Sequence, residues 1–313
     1  MANYITIDGG TTNTRVNLVI SGAICGTLKL SIGVKHNTNG TSAYKSQIKS
    51  AIDTLLKNNH IDERNISCIL CSGMITSEYG LCPLPHITLP CGIKELHNTM
   101  YETAIEDISS LPFVFVRGVK TKCESIENSD MMRGEETELM GISDRLENNC
   151  LYILPGSHSK HILTDDTGRI CDFHTEFTGE LIEALSQHTI LRDINMLECG
   201  DTDFDALQKG FEYCSEKGVN AAFFKVRTLK NLFDYSPTQC ASFFMGAALY
   251  SEIINIIKSP AQKIIQGGKK QLCRPMEYLI KTNSQKDVIA IDDTISHNAA
   301  AMGIIKIYEF DKI

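Results

Sequence analysis

Two short stretches of this 313-residue sequence combine the residue types that hold phosphate. The first, Asp8-Gly9-Gly10-Thr11-Thr12, sets a carboxylate ahead of two glycines and two hydroxyls. Glycines let consecutive backbone N–H groups face one concavity, a nest that suits phosphate oxygens, and Thr11 and Thr12 add donors. Asp8 would repel a bare phosphate, yet a carboxylate can hold Mg²⁺ through water, because Mg²⁺ keeps part of its hydration shell. Arg15 follows closely and either helps with phosphate or pairs with an acidic neighbour. The second stretch, Gly156-Ser157-His158-Ser159-Lys160, repeats the glycine–hydroxyl theme. Lys160 is either a point charge for phosphate or a solvated strand lysine.

Both stretches need strands to position them, and the flanking residues supply the pattern. Ile5 and Ile7 alternate ahead of the first turn, and Val16, Leu18 and Ile20 follow it. Leu151-Tyr-Ile-Leu154 precedes the second turn and His161-Ile-Leu163 follows. Each reads as a β-hairpin with a glycine–hydroxyl tip. A polar turn and a third strand follow both copies: Ser21-Gly22 before Ala23-Ile-Cys25, and Thr167-Gly168 before Arg169-Ile-Cys171. Internal self-similarity is a statement about fold, and two copies imply two related domains. Two such hairpins facing each other would grip a polyphosphate from opposite sides.

Beyond the first hairpin set, Thr41 or Ser42 caps a helix with Tyr44, Ile48, Ala51, Ile52, Leu55 and Leu56 at helical spacing. Ile66–Cys71 reads as a strand running into the corner Ser72-Gly-Met-Ile-Thr-Ser77. Residues 81–92 form a loop, Glu95–Ile108 a helix and Phe113–Val116 a buried strand. Residues 118–132 cross between halves, which places a first domain over 1–118 and a second over 119–313. In the second half, helical spacing covers Arg133–Leu146, Gly179–Ile190, Phe204–Glu216, Val219–Phe233 and Pro237–Lys258. A strand ends at Gly267-Gly268, a helix runs through Tyr278–Lys281, and Val288–Asp292 is the last strand. A terminal helix starts at Thr294, and it is the element expected to pack back on the first domain. The order predicts an α/β fold of two duplicated domains with helices on mixed sheets.

A content of 42% apolar and 22% charged residues is that of a globular protein long enough for two cores. A net charge of −8 argues against nucleic acid or an anionic membrane as main partners. The twelve cysteines lack a framework spacing, and Cys68 and Cys71 lie in an apolar run without a second CxxC. Reduced core thiols and a cytoplasmic protein are the expectation. The chain enters a strand at once, without a charged-then-apolar leader. No Walker P-loop occurs. Oligomeric state is not readable.

The duplicated hairpins and the late strand-Gly-Gly-helix resemble the actin/hexokinase/Hsp70 superfamily. Within it the chain resembles the 2-dehydro-3-deoxygalactonokinase family. The matching blocks are Ile7-Asp-Gly-Gly-Thr-Thr-Asn-Thr-Arg15, Ser72-Gly-Met-Ile-Thr-Ser77, Met132-Arg-Gly-Glu-Glu-Thr-Glu-Leu-Met-Gly141, Leu154-Pro-Gly-Ser-His-Ser-Lys160 and Phe177-Thr-Gly-Glu-Leu181. One departure is Gly9, where the family usually carries tryptophan; the chain contains none. The resemblance implies two actin-like (ribonuclease H-like) domains, each βββαβαβ(α), with a nucleotide cleft between them. It implies ATP and Mg²⁺ as cofactors, and phosphorylation of the 6-hydroxyl of 2-dehydro-3-deoxy-D-galactonate in galactonate catabolism.

By the same resemblance, Gly134-Glu135 supplies the catalytic base at Glu135, with Glu136 turned elsewhere and Asp8 organising Mg²⁺. Read without it, two carboxylates at a helix start are dipole-favourable surface residues. Gly10, Thr11, Thr12, Gly156, Ser157 and Ser159 form the phosphate cradles. Ser72, Met74 and Thr76 line the sugar-acid pocket. Arg133 matches the substrate carboxylate bidentately, and His158 hydrogen-bonds substrate. Gly267-Gly268 either lets adenine or ribose lie against bare backbone or simply ends a strand. His158-x-x-His161, with His174, Glu176 and Glu180 downstream, invites a metal reading, but strand positions i and i+3 face opposite sides. A kinase for another sugar or 2-keto-3-deoxy acid and a nucleotide-binding switch ATPase are the alternatives. A DNA-binding regulator would need a basic N-terminal extension, and a Ser157/His158 hydrolase would need a GxSxG elbow.

Overall fold

The computed structural model describes residues 2–37, 40–142, 146–192, 201–268 and 270–312. Its chain divides into two compact units, the first comprising Met1–Asn148, Asp166–Asp172 and Thr294–Ile313, and the second Asn149–Asp165 and Phe173–Asp293.

The alternating residues at the N-terminus form β1 (Tyr4–Gly9), β2 (Thr14–Ile20) and β3 (Ala23–Leu30), an antiparallel meander. Helix α1 (Ser42–Asn58) buries Tyr44, Ile48, Ala51, Ile52, Leu55 and Leu56, the stripe its spacing predicts. Strand β4 (Cys68–Gly73) runs parallel to β1, and the short β5 (Ile87–Thr88), α2 (Ile93–Asn98), β6 (Tyr101–Ile105) and β7 (Ser109–Phe115) follow. The six-stranded sheet has the order β3-β2-β1-β4-β7-β6. A helix over Glu95–Ile108 is therefore incorrect. Only its first turn and a half forms, and Tyr101-Glu-Thr-Ala-Ile105 pairs antiparallel with β7 as an edge strand. Pairing with the apolar β7 outweighs the weak helical spacing.

β8 (Val119–Lys120) and β9 (Met131–Met132) make a three-stranded ribbon with β5, and α3 (Glu135–Ile142) follows. The expected boundary at 118/119 thus falls inside the first compact unit, because this ribbon and α3 pack with its strands. The predicted helix over Arg133–Leu146 starts two residues later than its spacing suggests. Its residues 143–145, like Cys199, lie outside the described residues.

The second unit opens with β10 (Cys150–Leu154) and β11 (Ser159–Thr164), takes in β12 (Ile170–Glu176) from Phe173 onward, and continues with α4 (Thr178–His188), which begins beside the β10–β11 turn. Helices α5 (Phe204–Lys217), α6 (Val219–Leu232) and α7 (Pro237–Lys258) form one layer. They are followed by β13 (Lys263–Gln266), α8 (Lys270–Asn283) and β14 (Asp287–Ala290). The sheet order is β12-β11-β10-β13-β14, with β13 parallel to both neighbours. Pro237 sits in the first turn of α7, and the Ser236 hydroxyl accepts from Gln239 N–H in a capping box. By length and composition α7 is apolar enough to cross a bilayer, but most of it is buried in the core with Leu151, Ile153 and Ile264. α9 (Asp293–Tyr308) belongs to the first unit, where Tyr308 packs edge-on against Tyr4. None of the eleven described cysteines forms a disulfide.

Candidate active site

In the first unit, the β1–β2 turn is closed by its own backbone, with Gly10 N–H donating to Asn13 O at 2.8 Å. Val34 N–H donates to Gly10 O at 3.2 Å, and Lys35 N–H to Thr11 O at 3.1 Å. Gly33 permits that approach, since a Cβ there would stand 2.5 Å from both carbonyl oxygens. Thr11 and Thr12 remain exposed on the turn. A Cβ on Gly9 would come 2.7 Å from Ile75 Cβ and 3.1 Å from the Tyr44 hydroxyl. Ile75 and Tyr44 thus occupy the space beside Gly9, the position that departs from the tryptophan usual in the resembling family.

Asp8 is the penultimate residue of β1, in register with Arg15 on β2 and Ser72 on β4. Beside it lie two glycines in the left-handed region, Gly73 at φ +82° and Gly134 at φ +115°. A Cβ on Gly134 would stand 3.2 Å from Gly73 Cα, and one on Gly73 would stand 3.2 Å from Asp8 Oδ1. The two backbones stack, and this contact brings the 132–141 block to the end of β1.

Helix α3 then presents three acidic residues in its first turn with different fates. Glu136 is fully buried, and both its oxygens accept from Gly134 N–H at 2.9 and 2.8 Å. Burial, with the Glu135 charge beside it, pushes its carboxyl up to about 7. Glu135 accepts from Arg133 N–H at 3.0 Å and stays part-exposed. Glu138 is pushed up to about 8 by burial, then by Asp8 and Glu135, with Arg15 opposing. Burial also raises Asp8, Arg15 draws it down and Glu135 raises it further. Asp8, Glu135, Glu138 and Arg15 are therefore one electrostatic cluster, and Arg15 Nη1 is fixed by donating to His297 O at 3.0 Å. Among the described residues, no three His, Cys, Asp or Glu side chains converge closely enough to hold a metal ion directly.

The raised carboxyls carry a signed prediction. In the folded protein Glu138 keeps its proton well above the ordinary value of 4.5, so the folded state binds more protons than the unfolded chain. Its contribution to stability is complete below that value and is lost as pH rises through about 8. Without divalent cations, the urea midpoint of the wild type should fall more steeply from about pH 6 to pH 9 than that of Glu138→Gln. Equal slopes would show that Glu138 does not hold the proton.

The strand corner departs from its expected use. Arg133 Nη1 donates to Thr76 O at 2.8 Å and Thr76 Oγ1 at 2.6 Å, and Nη2 donates to Leu84 O at 3.1 Å and His86 Nδ1 at 3.3 Å. Thr76 is fully buried and donates to Gly73 O at 3.0 Å. Arg133 and Thr76 thus clamp the corner, with Ser72 buried beside them and Met74 part-exposed. His86 had no sequence signal. Burial, followed by Arg133 and Lys120, pushes its pKa down to about 4, so it meets Arg133 as a neutral acceptor.

In the second unit, the N-terminus of α4 backs the β10–β11 turn. Glu180 N–H donates to Ser157 O at 3.0 Å, and a Cβ on Gly179 would stand 2.0 Å from Gly156 O. Ser157 and His158 are exposed. His158 stacks on Phe177 at 5.4 Å and pairs with Glu180 at 2.8 Å. The next two residues are turned into the protein. Ser159 donates to Glu252 of α7, which also meets His161 Nε2 at 2.9 Å, and all three are buried. Lys160 is only 5% exposed and donates to Thr175 Oγ1 at 2.6 Å, so it is not a solvated strand lysine. Gly156 and Ser157 are brought to the turn, whereas the Ser159 hydroxyl is not. Gly267 N–H donates to Ile153 O at 3.0 Å, and Gly268, at φ +114°, lies against Pro155. The Gly-Gly loop and the second hairpin are thus neighbours.

A family profile described as 2-keto-3-deoxy-galactonokinase matches residues 8–307. The 2-dehydro-3-deoxygalactonokinase of Escherichia coli (strain K12) is 25% identical over 260 residues, which cover 82% of this chain and 80% of that protein. A Rhizobium meliloti (strain 1021) protein provisionally given the same activity is 30% identical over 193 residues, covering 60% of this chain and 58% of that one. A crystal structure of a protein from Sinorhizobium meliloti, provisionally assigned likewise, superposes with a TM-score of 0.76 at 23% identity, over 98% of this chain and 99% of the other. Component A of the (R)-2-hydroxyglutaryl-CoA dehydratase of Acidaminococcus fermentans superposes with a TM-score of 0.53 at 13% identity, over 100% of both chains, a likeness of fold alone. With the profile running from Asp8 through the stacked Gly73–Gly134 contact and both hairpins into α9, the chain belongs to the 2-keto-3-deoxy-galactonokinase family.

Proposed function

We propose that this protein transfers the γ-phosphoryl group of ATP to the 6-hydroxyl of 2-dehydro-3-deoxy-D-galactonate, as a cytoplasmic enzyme of galactonate catabolism. The observation that carries the reading is the acidic cluster at the end of β1, assembled through the stacked backbones of Gly73 and Gly134. Phosphoryl transfer needs positioning, charge neutralisation and a group that accepts the hydroxyl proton. Glu135, part-exposed beside Asp8, takes that proton. Asp8 would hold Mg²⁺ through water, and the ion would supply charge neutralisation there. A carboxylate that belongs to no three-ligand group among the described residues suits an ion that keeps its waters. Gly10, Thr11 and Thr12 are the phosphate cradle of the first unit; Gly156 and Ser157 are that of the second, where Gly267-Gly268 lies along the nucleoside. Arg133 acts by holding the Thr76 corner that shapes the sugar-acid pocket, so Met74 and Ser72 are its nearer wall.

One observation favours a second acceptor. Ile75 and Tyr44 fill the space beside Gly9, which alters the wall next to the first turn and admits a related 2-keto-3-deoxy acid. ATP consumption with Mg²⁺ over a panel of sugars and sugar acids tests both readings. Turnover selective for 2-dehydro-3-deoxy-galactonate is expected. Selectivity for another 2-keto-3-deoxy acid would change the substrate alone. ATP hydrolysis indifferent to every sugar acid would replace the kinase with a switch ATPase.

A further inference from the structure

The second unit buries an amide that no group of the described protein answers. Gln266 closes β13 with 1% of its surface exposed, and neither Oε1 nor Nε2 has a hydrogen-bond partner. Its main-chain carbonyl accepts from Ile291 N–H at 2.8 Å, and the N–H of the next residue, Gly267, donates to Ile153 O at 3.0 Å. A buried donor and acceptor left unpaired cost more than an ordinary hydrogen bond gains. An amide kept in that state calls for a partner from outside the chain.

The topology says where that partner arrives. Gln266 is in register with Ile153 on β10 and Ala290 on β14, at the carboxyl ends of parallel strands. Open α/β sheets receive ligands at that edge. The next two residues are Gly267 and Gly268, the second at φ +114° and close against Pro155 of the phosphate hairpin. An amide offers one acceptor beside one donor, and adenine answers with its N6 amino group beside a ring nitrogen. Guanine presents O6 and N7 on the same edge, both acceptors.

We infer that Gln266 is the residue that reads the base of the bound nucleotide, its amide pairing with the donor–acceptor edge of adenine. The inference rests on the ATP-dependent reading given above. It makes Gln266 a specificity-determining residue, and Gly267-Gly268 the bare backbone over which the nucleoside reaches it.

Calorimetric titration without sugar acid tests this, using ATP, ITP and GTP against wild type, Gln266→Leu and Gln266→Met. Wild type is expected to bind ATP about tenfold more tightly than ITP or GTP. Both variants should weaken ATP about tenfold and bind the three nucleotides within a few-fold of one another. Their ligand-free melting temperatures should equal or exceed that of wild type, because an unpartnered amide has been replaced by an apolar side chain. Variants that keep the wild-type ATP affinity and preference would overturn the inference, as the amide would then answer only to water or to the fold. A wild type that binds all three equally would overturn it as well. A wild type that binds none would instead defeat the ATP reading. Should neither apolar variant fold, Gln266→Asn retracts the amide by one methylene and is expected to lose ATP preference in the same sense.

Discussion

Glu135→Gln is expected to lower kcat by about 10²- to 10⁴-fold while ATP affinity stays within about threefold of wild type. The substitution is nearly isosteric, and a glutamine oxygen can still accept from Arg133 N–H as Oε2 of Glu135 does. The start of α3 therefore survives, and the loss falls on proton transfer rather than on folding. Its neighbours separate the roles. Glu136 uses both oxygens on Gly134 N–H within the core, so Glu136→Gln turns an amide donor toward that N–H and should cost stability first. Glu138→Gln replaces a carboxyl that already keeps its proton below about 8, so activity at neutral pH should fall far less than in Glu135→Gln. Single-turnover phosphorylation, with unfolding midpoints measured alongside, distinguishes the three. If Glu135→Gln retained kcat within tenfold while Asp8→Asn abolished it, Asp8 would be the base.

The contrast between Glu135 and Glu136 shows how far a sequence reaches. The glycine–hydroxyl turns, the alternating strands around them and the long α7 are local patterns, and each formed where its residues indicated. The 132–141 block was legible as a unit, but not the reason for its glycine. That reason is a contact with Gly73, which lies far away in the sequence. The depth of Ser159 and Lys160 was not legible for the same cause. Hydroxyl and cation follow the glycine as a phosphate turn requires, yet their depth is decided by Glu252 on α7 and Thr175 on β12. Arg133 was assigned to a substrate carboxylate by its chemistry. Three backbone and hydroxyl oxygens and a neutral histidine satisfy that chemistry inside the protein. The edge strand β6 was missed because its partner, β7, is what makes it a strand.

Gly33→Ala and Gly179→Ala are expected to weaken ATP by at least tenfold each, and to destabilise the fold by about 1–3 kcal/mol. Neither glycine has a positive φ, so the effect is steric and owes nothing to backbone preference. A methyl on Gly33 would stand 2.5 Å from the carbonyl oxygens of Gly10 and Thr11. It would force the segment that begins at Gly33 away and release the Val34 and Lys35 N–H groups that hold the first turn. A methyl on Gly179 would stand 2.0 Å from Gly156 O and 2.9 Å from Ser157 Cα. It would push α4 off the second turn and break the Glu180 N–H bond to Ser157 O. Gly156→Ala supplies the comparison, because its Cβ would find its nearest neighbour, His158 O, at 3.9 Å. That variant should melt like the wild type, so a loss of ATP affinity in it reports a ligand that occupies the space over the turn. Calorimetry with ATP and a thermal melt of all three variants separate the cases. Wild-type affinity in both Gly33→Ala and Gly179→Ala would show that neither turn is a phosphate cradle. Loss in only one would assign the polyphosphate to that hairpin.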